Sequence, residues 1–209
     1  MTQTPETKLR YFHSPVYSLE EHLAKARPEL LQFLQEYAFS SALVGLASQH
    51  YKGDGTEMNM VEQLLYQSGL FMAQNISRGA PDFLACPESA AVIGIPRSGW
   101  SVAKGISDGL KAHLFYSNQG NDSSKGHPIL SEEILNQLPE AVVIADNVSM
   151  YGRQARTLLQ ALTDYNQNLD IAFAFSCMDN YWASDLCQPI VTTYAPKSGL
   201  TNPLWAHLC

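Results

Sequence analysis

The feature that most constrains this 209-residue chain is a short apolar run that breaks into a polar, glycine-containing turn and then a helix. It reads AVVIADNVSMYGRQ and begins at Ala141. Residues Ala141 to Ala145 have the length and β-branched content of a parallel strand that is buried on both faces. From Arg153 onward, apolar residues recur at helical spacing. Residues Asp146 to Gly152 are therefore predicted to cross from the end of a strand to the start of a helix.

This crossing has the chemistry of a ligand-binding loop. In open α/β sheets, ligands bind at the carboxyl ends of strands, where the next helix begins with unpaired N–H groups. Asp146 can meet a hydroxyl group or a metal ion, and Gly152 allows the backbone to fold closely around a phosphate. Because any strand-to-helix turn favours Asp, Asn, Ser and Gly, an ordinary turn is the alternative explanation of this stretch alone.

A second stretch of the same kind reads AAVIGIPRSGW. Its apolar residues predict a buried strand from Ala90 to Ile95, and the apolar spacing that follows predicts a helix over Ser101 to His113. Between the two, Arg97 offers a forked donor, while Ser98 and Gly99 offer backbone N–H groups without bulk. These are the components that hold a diphosphate. A turn with a structural arginine is the alternative.

The two loops together resemble those of the type I phosphoribosyltransferase family. The ribose-phosphate loop of that family has an apolar strand, two acids, three variable residues, Thr-Gly, one residue and then Thr. Asp146 takes the position of the first acid, and Gly152 takes that of the glycine. Asn147 stands in place of the second acid, and Tyr151 and Gln154 stand in place of the two threonines. The resemblance implies an α/β fold in which helices flank a parallel sheet.

The resemblance also implies roles for the loop residues. As catalytic residues, Asp146 and Asn147 would bind the ribose hydroxyls of a small phosphorylated ligand. The substrate-binding residues would form a diphosphate loop and a 5′-phosphate loop, with Mg²⁺ carried by the ligand as the expected cofactor. They are Arg97, Ser98, Gly99, Ser149, Met150, Tyr151, Gly152, Arg153 and Gln154.

Phosphoribosyl transfer is the reaction that this resemblance implies. Pyrophosphate would leave C1 of phosphoribosyl pyrophosphate, and a nitrogen nucleophile would replace it, with catalysis by positioning and charge stabilisation. Asn147 removes one of the negative charges that would offset the developing cation, so Asn147→Asp is expected to raise activity in an otherwise competent loop. The alternative is a non-catalytic member of the fold that senses a nucleotide or serves as a protein-interaction module. The chain has no G-x-G-x-x-G or G-K-[ST] signature of unrelated nucleotide-binding folds.

The chain ahead of these motifs predicts a helical N-terminal layer. Apolar residues recur at helical spacing from Ser18 toward His50 and again from Val61 to Met72, and Gly79 is a predicted stop. We interpret residues 1–82 as an accessory region or partner surface, for a homodimer or another protein.

Residues 83–209 are predicted to form the α/β domain, with a sheet of about five strands, which is an ordinary sheet size. Its later strands are predicted at Ile171 to Phe175 and Ile190 to Tyr194. The polar segment Asn118 to Pro128 is predicted to be a mobile loop, and Ile129 to Leu138 a short helix. Lys125 and His127 could reach the site if the loop closes over the ligand, as the family resemblance implies, although a solvated loop is the alternative.

Composition bounds the remaining possibilities. The chain has a net charge of -7, which argues against a protein that grips nucleic-acid phosphates over a broad surface. No apolar run reaches the roughly 20 residues of a membrane helix, and the first residues lack the apolar core of a signal peptide. The four cysteines are scattered and predicted to be reduced thiols, without a structural metal. A cytoplasmic location is therefore expected.

Overall fold

Helices and strands alternate along the chain in the order expected of a parallel sheet with crossover connections. The structure is a computed structural model that describes residues 11–12, 19–36, 55–79, 89–96, 98–119, 128–149, 152–178 and 190–194. The helices are α1 (Leu19–Ala26), α2 (Pro28–Glu36), α3 (Gly55–Gly79), α4 (Ser98–Leu110), α5 (Glu132–Leu135) and α6 (Arg153–Tyr165). The strands are β1 (Tyr11–Phe12), β2 (Ala91–Gly94), β3 (His113–Tyr116), β4 (Asn118–Gln119), β5 (Pro128–Ile129), β6 (Ala141–Ser149), β7 (Asp170–Met178) and β8 (Ile190–Tyr194).

Six strands form one sheet in the order β1-β8-β7-β6-β2-β3. Every pairing in this sheet is parallel. All four residues of β2 are buried, as expected for a strand that is covered on both faces. The predicted fold class, a parallel sheet flanked by helices, is confirmed.

The two faces of the sheet carry separate hydrophobic cores. On one face, Val92 and Val143 pack in a core with residues of α1 to α4, including Leu64. On the other face, Ile144 and Phe173 pack in a core with α5 and α6. Consecutive residues of a strand point to opposite faces, which explains why neighbouring apolar residues of β6 enter different cores.

Helix α3 joins the N-terminal layer to the first of these cores. It crosses α4 at unusually short range, because Gly69 and Gly105 bring the two backbones together. A Cβ built on Gly105 would overlap the carbonyl oxygen of Tyr66, and one on Gly69 would overlap that of Val102. Only glycine permits this approach. The domain boundary between residues 82 and 83 stays a prediction.

Strand β6 is longer than the sequence predicts. The predicted strand ends at Ala145, whereas β6 continues to Ser149, and the prediction that the crossing begins at Asp146 is wrong for these four residues. The physical reason is the equally long neighbour β7, which pairs with β6 up to Met178. The hydrogen bonds between β7 and β6 satisfy the backbone N–H and carbonyl groups of β6 even where its side chains are polar.

Helix α4 begins and ends earlier than the predicted range Ser101 to His113. It ends because Lys111 adopts a left-handed conformation with φ of 59°, and the Ala112 N–H donates to the Ser107 carbonyl at 3.0 Å. His113 then begins β3, a strand that the sequence pattern did not predict.

Three further differences between the predicted and the observed elements are local. The N-terminal layer contains the short strand β1, which pairs with β8, in addition to its described helices. The helix predicted over Ile129 to Leu138 shrinks to the single turn α5, where the Ser131 side chain accepts from the Ile134 N–H at 3.3 Å. The ends of the predicted loop form an antiparallel ribbon, β4 with β5. Lys125 and His127 lie outside the described residues.

Candidate functional site

The order of strands in the sheet reverses between β2 and β6. From β2 the chain passes through α4 to β3 on one side, whereas from β6 it passes through α6 to β7 and β8 on the other. Because α4 and α6 pack on opposite faces, these two connections diverge from neighbouring strand ends. Such a reversal opens a crevice at the carboxyl edge, which is where open α/β sheets bind their ligands.

The two predicted motif strands are direct neighbours at this crevice. Gly94 of β2 pairs with Ala145 of β6, and the Ile95 N–H donates to the Ala145 carbonyl at 2.9 Å. The prediction that the two stretches are parallel strands of one sheet, each followed by a helix, is confirmed. That they are direct neighbours is a finding of the structure. Asp146 follows Ala145 directly, so the acid stands at the crevice.

The first turn of α4 lies against this acid. A Cβ built on Gly99 would be 3.0 Å from the Ala145 carbonyl oxygen and 3.0 Å from Oδ1 of Asp146. A glycine at this position therefore lets the backbone of the diphosphate loop approach the carboxyl group. Of the neighbouring residues that were predicted to bind the ligand, Ser98 is the first residue of α4, and Arg97 lies outside the described residues.

Asp146 is buried in an unusual electrostatic setting. The residue is 8% exposed, and burial raises the pKa of its carboxyl to about 7. The Asn147 N–H donates to Oδ1 at 2.7 Å and opposes this rise. Near neutral pH the carboxyl therefore exchanges between a protonated and an ionised form, so it can donate or accept a hydrogen bond to a ligand hydroxyl.

Asn147 lies inside the protein. It is fully buried, and the register of β6 with β7 places it opposite Ser176. The Ser176 hydroxyl is 2.9 Å from that of Ser68 on α3. Asn147 thus belongs to a buried polar layer between the sheet and α3, and its role toward a ribose stays a prediction.

The predicted 5′-phosphate loop ends at a second helix start. Gly152 precedes α6 in a left-handed conformation, with φ of 63°, and its carbonyl accepts from the Arg156 N–H at 2.8 Å. Arg153 is exposed and Gln154 is half-buried in the first turn of α6. Ser149 is the last residue of β6, while Met150 and Tyr151 lie outside the described residues. The chain therefore passes from the end of β6 at Ser149 to the start of α6 at Arg153 within a few residues, and Asp146 lies in β6 three residues before that strand end.

The metal-binding capacity of the described residues is small. In residues 11–12, 19–36, 55–79 and the later described ranges up to 194, no group of three or more His, Cys, Asp or Glu residues could hold a metal ion.

Within the same part of the chain, no helix is long and apolar enough to cross a membrane.

Two aromatic residues that the sequence motifs do not include lie beside the crevice. The rings of Trp100 and Tyr116 lie in contact, with centroids 5.3 Å apart. Trp100 directly follows Gly99, the last residue of the predicted diphosphate loop, and this position in the sequence is the signal from which a role for Trp100 could have been predicted. Tyr116 lies in β3, the strand that was not predicted.

The fold and this edge define an α/β protein with a ligand crevice at a strand-order reversal. A comparison with protein-family models finds no match, and a comparison with curated protein sequences finds none either. Solved structures do match. The AQ2163 protein from Aquifex aeolicus is similar with a TM-score of 0.50 and 14% identity, over 66% of this chain and 76% of that protein.

Two enzymes are also among the matching structures. Orotate phosphoribosyltransferase from Aeropyrum pernix matches with a TM-score of 0.48 and 18% identity, over 73% of this chain and 82% of that enzyme. Purine phosphoribosyltransferase from Pyrococcus horikoshii matches with a TM-score of 0.42 and 19% identity, over 65% of this chain and 85% of that enzyme. At these identities the likeness concerns the fold alone.

Proposed function

We propose that this chain binds a phosphoribosyl compound, either phosphoribosyl pyrophosphate or a nucleotide 5′-phosphate, in the crevice between β2 and β6. The observation that carries this proposal is the contact between Gly99 and Asp146. It joins the end of the first motif loop to the start of the second, which lie far apart in the sequence, at one carboxyl group. Asp146 would meet a ribose hydroxyl, and the 5′-phosphate would lie at the start of α6.

The helix starts support a phosphorylated ligand in particular. Both α4 and α6 begin at the carboxyl edge of the sheet. The first N–H groups of a helix carry partial positive charge and bind phosphate oxygens through the backbone. A net charge of -7 for the whole chain does not oppose this local attraction, because only nearby groups act strongly on a small ligand.

A Mg²⁺ ion would enter the site with its ligand. The ion takes six oxygen ligands, commonly one or two carboxylates together with substrate phosphates and water. Asp146 brings a carboxylate close to Gly99, and it accepts from the Asn147 N–H. Asp146 can therefore complete the shell of a phosphate-bound ion, while the ligand supplies most of that shell.

Transfer of the phosphoribosyl group is the finer part of the proposal. An oxocarbenium-like state needs negative charge nearby, and Asp146 is only partly ionised near neutral pH because its pKa is about 7. Asn147 is neutral and fully buried. These two observations favour the second candidate, a non-catalytic nucleotide sensor, over an efficient transferase.

Calorimetric titration of the full chain tests the binding proposal. The probes are ribose 5-phosphate and phosphoribosyl pyrophosphate, the latter with and without Mg²⁺, and ribose is the control without phosphate. Binding of the phosphorylated compounds but not of ribose is expected. Absence of binding by every phosphorylated compound would reject the proposal.

Pyrophosphate release separates the two candidates. Phosphoribosyl pyrophosphate with Mg²⁺ is incubated with purine, pyrimidine and amide acceptors in turn, and released pyrophosphate is measured. Slow or absent release together with tight binding is expected. Robust release with any acceptor would reject the non-catalytic candidate and leave the binding proposal intact.

A further inference from the structure

Two aromatic side chains lie on the surface beside the crevice without a role in the site described above. Trp100 is 42% exposed and Tyr116 is 37% exposed. Their planes are tilted by 48°, and their ring centroids are 5.3 Å apart. Within the described part of the chain, four large hydrophobic side chains are exposed, and two of the four form this pair. We call Trp100 and Tyr116 the aromatic pair.

The aromatic pair lies over the end of β2. A Cβ built on Gly94 would be 3.2 Å from Cδ1 of Trp100 and 3.2 Å from Cδ1 of Tyr116. Gly94 pairs with Ala145, the residue that precedes Asp146. Since neighbouring strands lie about 4.8 Å apart, the backbone that carries the pair is roughly one to two strand spacings from the backbone of β6 at Ala145 and Asp146. A single nucleoside can span such a separation.

Hydrogen bonds and packing position the backbone that carries both rings. Ser117 donates to the Gly94 carbonyl through its N–H at 3.1 Å and through its hydroxyl at 3.0 Å, which fixes the end of β3 next to Tyr116. Trp100 lies in the first turn of α4, and Ala103 of the next turn packs against Gly94. A surface that is ordered in advance loses little entropy on binding.

We infer that the aromatic pair is a stacking surface for the base of the ligand, so that the preferred ligand is a nucleotide rather than a phosphoribosyl compound without a base. The inference rests on the proposed function, because the phosphate and the ribose must be held at the adjacent edge. Stacking of a base on an aromatic side chain typically raises affinity by about 5- to 150-fold and tolerates different bases. Among the residues that the structure describes, the two side chains of the pair are far too few for a protein interface, which needs on the order of 1,000 Å².

The test compares ligands with and without a base. Affinities of AMP, GMP, UMP and ribose 5-phosphate are measured calorimetrically for the full chain and for Trp100→Leu, which keeps apolar volume but removes the ring. The ratio of nucleotide affinity to ribose 5-phosphate affinity is expected to fall by about 5- to 150-fold, with ribose 5-phosphate affinity unchanged. Trp100→Phe should keep most of the ratio. Tyr165→Ala, at an exposed aromatic residue near the end of α6, should leave it unchanged.

Fluorescence gives a second readout. The chain has three tryptophans, and quenching by a nucleotide should disappear in Trp100→Phe if Trp100 is the stacked ring. If Trp100→Leu fails to fold, Tyr116→Leu replaces it in the same comparison.

The outcomes separate the two proposals. If ribose 5-phosphate binds and the ratio of nucleotide affinity to ribose 5-phosphate affinity is unchanged in Trp100→Leu, the stacking inference is overturned and the proposed function stands. The same holds if ribose 5-phosphate binds the native chain as tightly as the nucleotides do. If neither nucleotides nor ribose 5-phosphate bind, both proposals are overturned together.

Discussion

Gly99 and Asp146 are in contact, although 46 residues of chain lie between them. A Cβ on Gly99 would be 3.0 Å from Oδ1 of Asp146 and 3.1 Å from its Cα. This contact joins the start of α4 to the end of the predicted portion of β6, at the point where the strand order reverses. Because the two residues come from different motif loops, the contact makes one site of two separate sequence patterns.

Gly99→Ala should weaken binding of phosphorylated ligands. The new methyl group must push against a backbone carbonyl and a carboxyl oxygen, each at 3.0 Å, so either the first turn of α4 or Asp146 shifts. We expect a loss of about 1–3 kcal/mol in the free energy of unfolding, measured by urea titration, and weaker ribose 5-phosphate binding by calorimetry. Ser101→Ala, in the same turn of α4, is the control. Unchanged affinity would show that this contact is not part of the site.

Asp146→Asn should remove a pH dependence of stability. Burial raises the pKa of Asp146 from its usual value of 3.8 to about 7. At a pH between these two values, the folded state therefore keeps a proton that the unfolded state has lost. The free energy of unfolding of the native chain should therefore fall as the pH rises through this window, by at most about 4 kcal/mol. The variant has no such proton to lose. Urea titrations at several pH values measure the slopes.

The same variant should lose the pH dependence of ligand binding. An ionised carboxylate accepts from a ribose hydroxyl, so affinity of the native chain for ribose 5-phosphate should rise as the pH passes upward through about 7. Asp146→Asn retains only the titration of the ligand phosphate itself. Asp170→Asn, at an exposed residue that begins β7, is the matched control. Identical pH profiles for Asp146→Asn and the native chain would contradict the proposed role.

Gly152→Val should weaken binding of 5′-phosphorylated ligands. The residue has φ of 63°, a conformation that costs a non-glycine residue about 1–2 kcal/mol and a β-branched one more. Displacement of the backbone at the start of α6 should lower affinity for ribose 5-phosphate by about tenfold or more, as expected for one lost charge-assisted hydrogen bond. Gly152→Asn tolerates the left-handed conformation and should bind more nearly like the native chain. Equal affinity of folded Gly152→Val would remove this loop from the site.

Asn147→Asp tests whether the missing acid can be restored. The motif predicts higher transferase activity, but Asn147 is fully buried in the structure. Burial disfavours the charged form, so the new carboxyl should stay protonated near neutral pH and supply no charge to the reaction. We expect stability that falls as the pH rises and no gain in pyrophosphate release. A clear gain in release would show that position 147 reaches the ligand after all.

Gly105→Ala should affect stability without affecting the site. Its methyl group would overlap the Tyr66 carbonyl oxygen at the crossing of α3 and α4, and only a shift of backbone can relieve that overlap. We expect a loss of about 1–3 kcal/mol, which is a fall of several degrees in the melting temperature for a chain of this size. Ribose 5-phosphate affinity of the folded variant should be unchanged. A loss of affinity comparable with that of Gly99→Ala would mean that the helix crossing also shapes the crevice.

The sequence alone predicted the elements whose patterns are local. The apolar runs that end before Arg97 and Asp146 indicated two buried strands, and helical spacing of apolar residues indicated α3 and α6. These predictions are confirmed because a run of β-branched residues or a helical stripe is set by neighbours in the chain. The carboxyl ends of parallel strands share an edge, so the sequence could also predict that both loops meet there.

The tertiary structure decided what depends on partners distant in the chain. β6 extends to Ser149 because β7 offers an equally long ladder, and Asn147 is buried because that extension carries it opposite Ser176. The contact of Gly99 with Asp146 arises only when β2 and β6 become neighbours. Polar residues carry no local signal for burial, since their environment is set by the elements that pack around them. The sequence therefore determined the two motif strands, helices α3 and α6 and the edge at which the loops meet, and the packing determined the length of β6 and which amide is buried next to the acid.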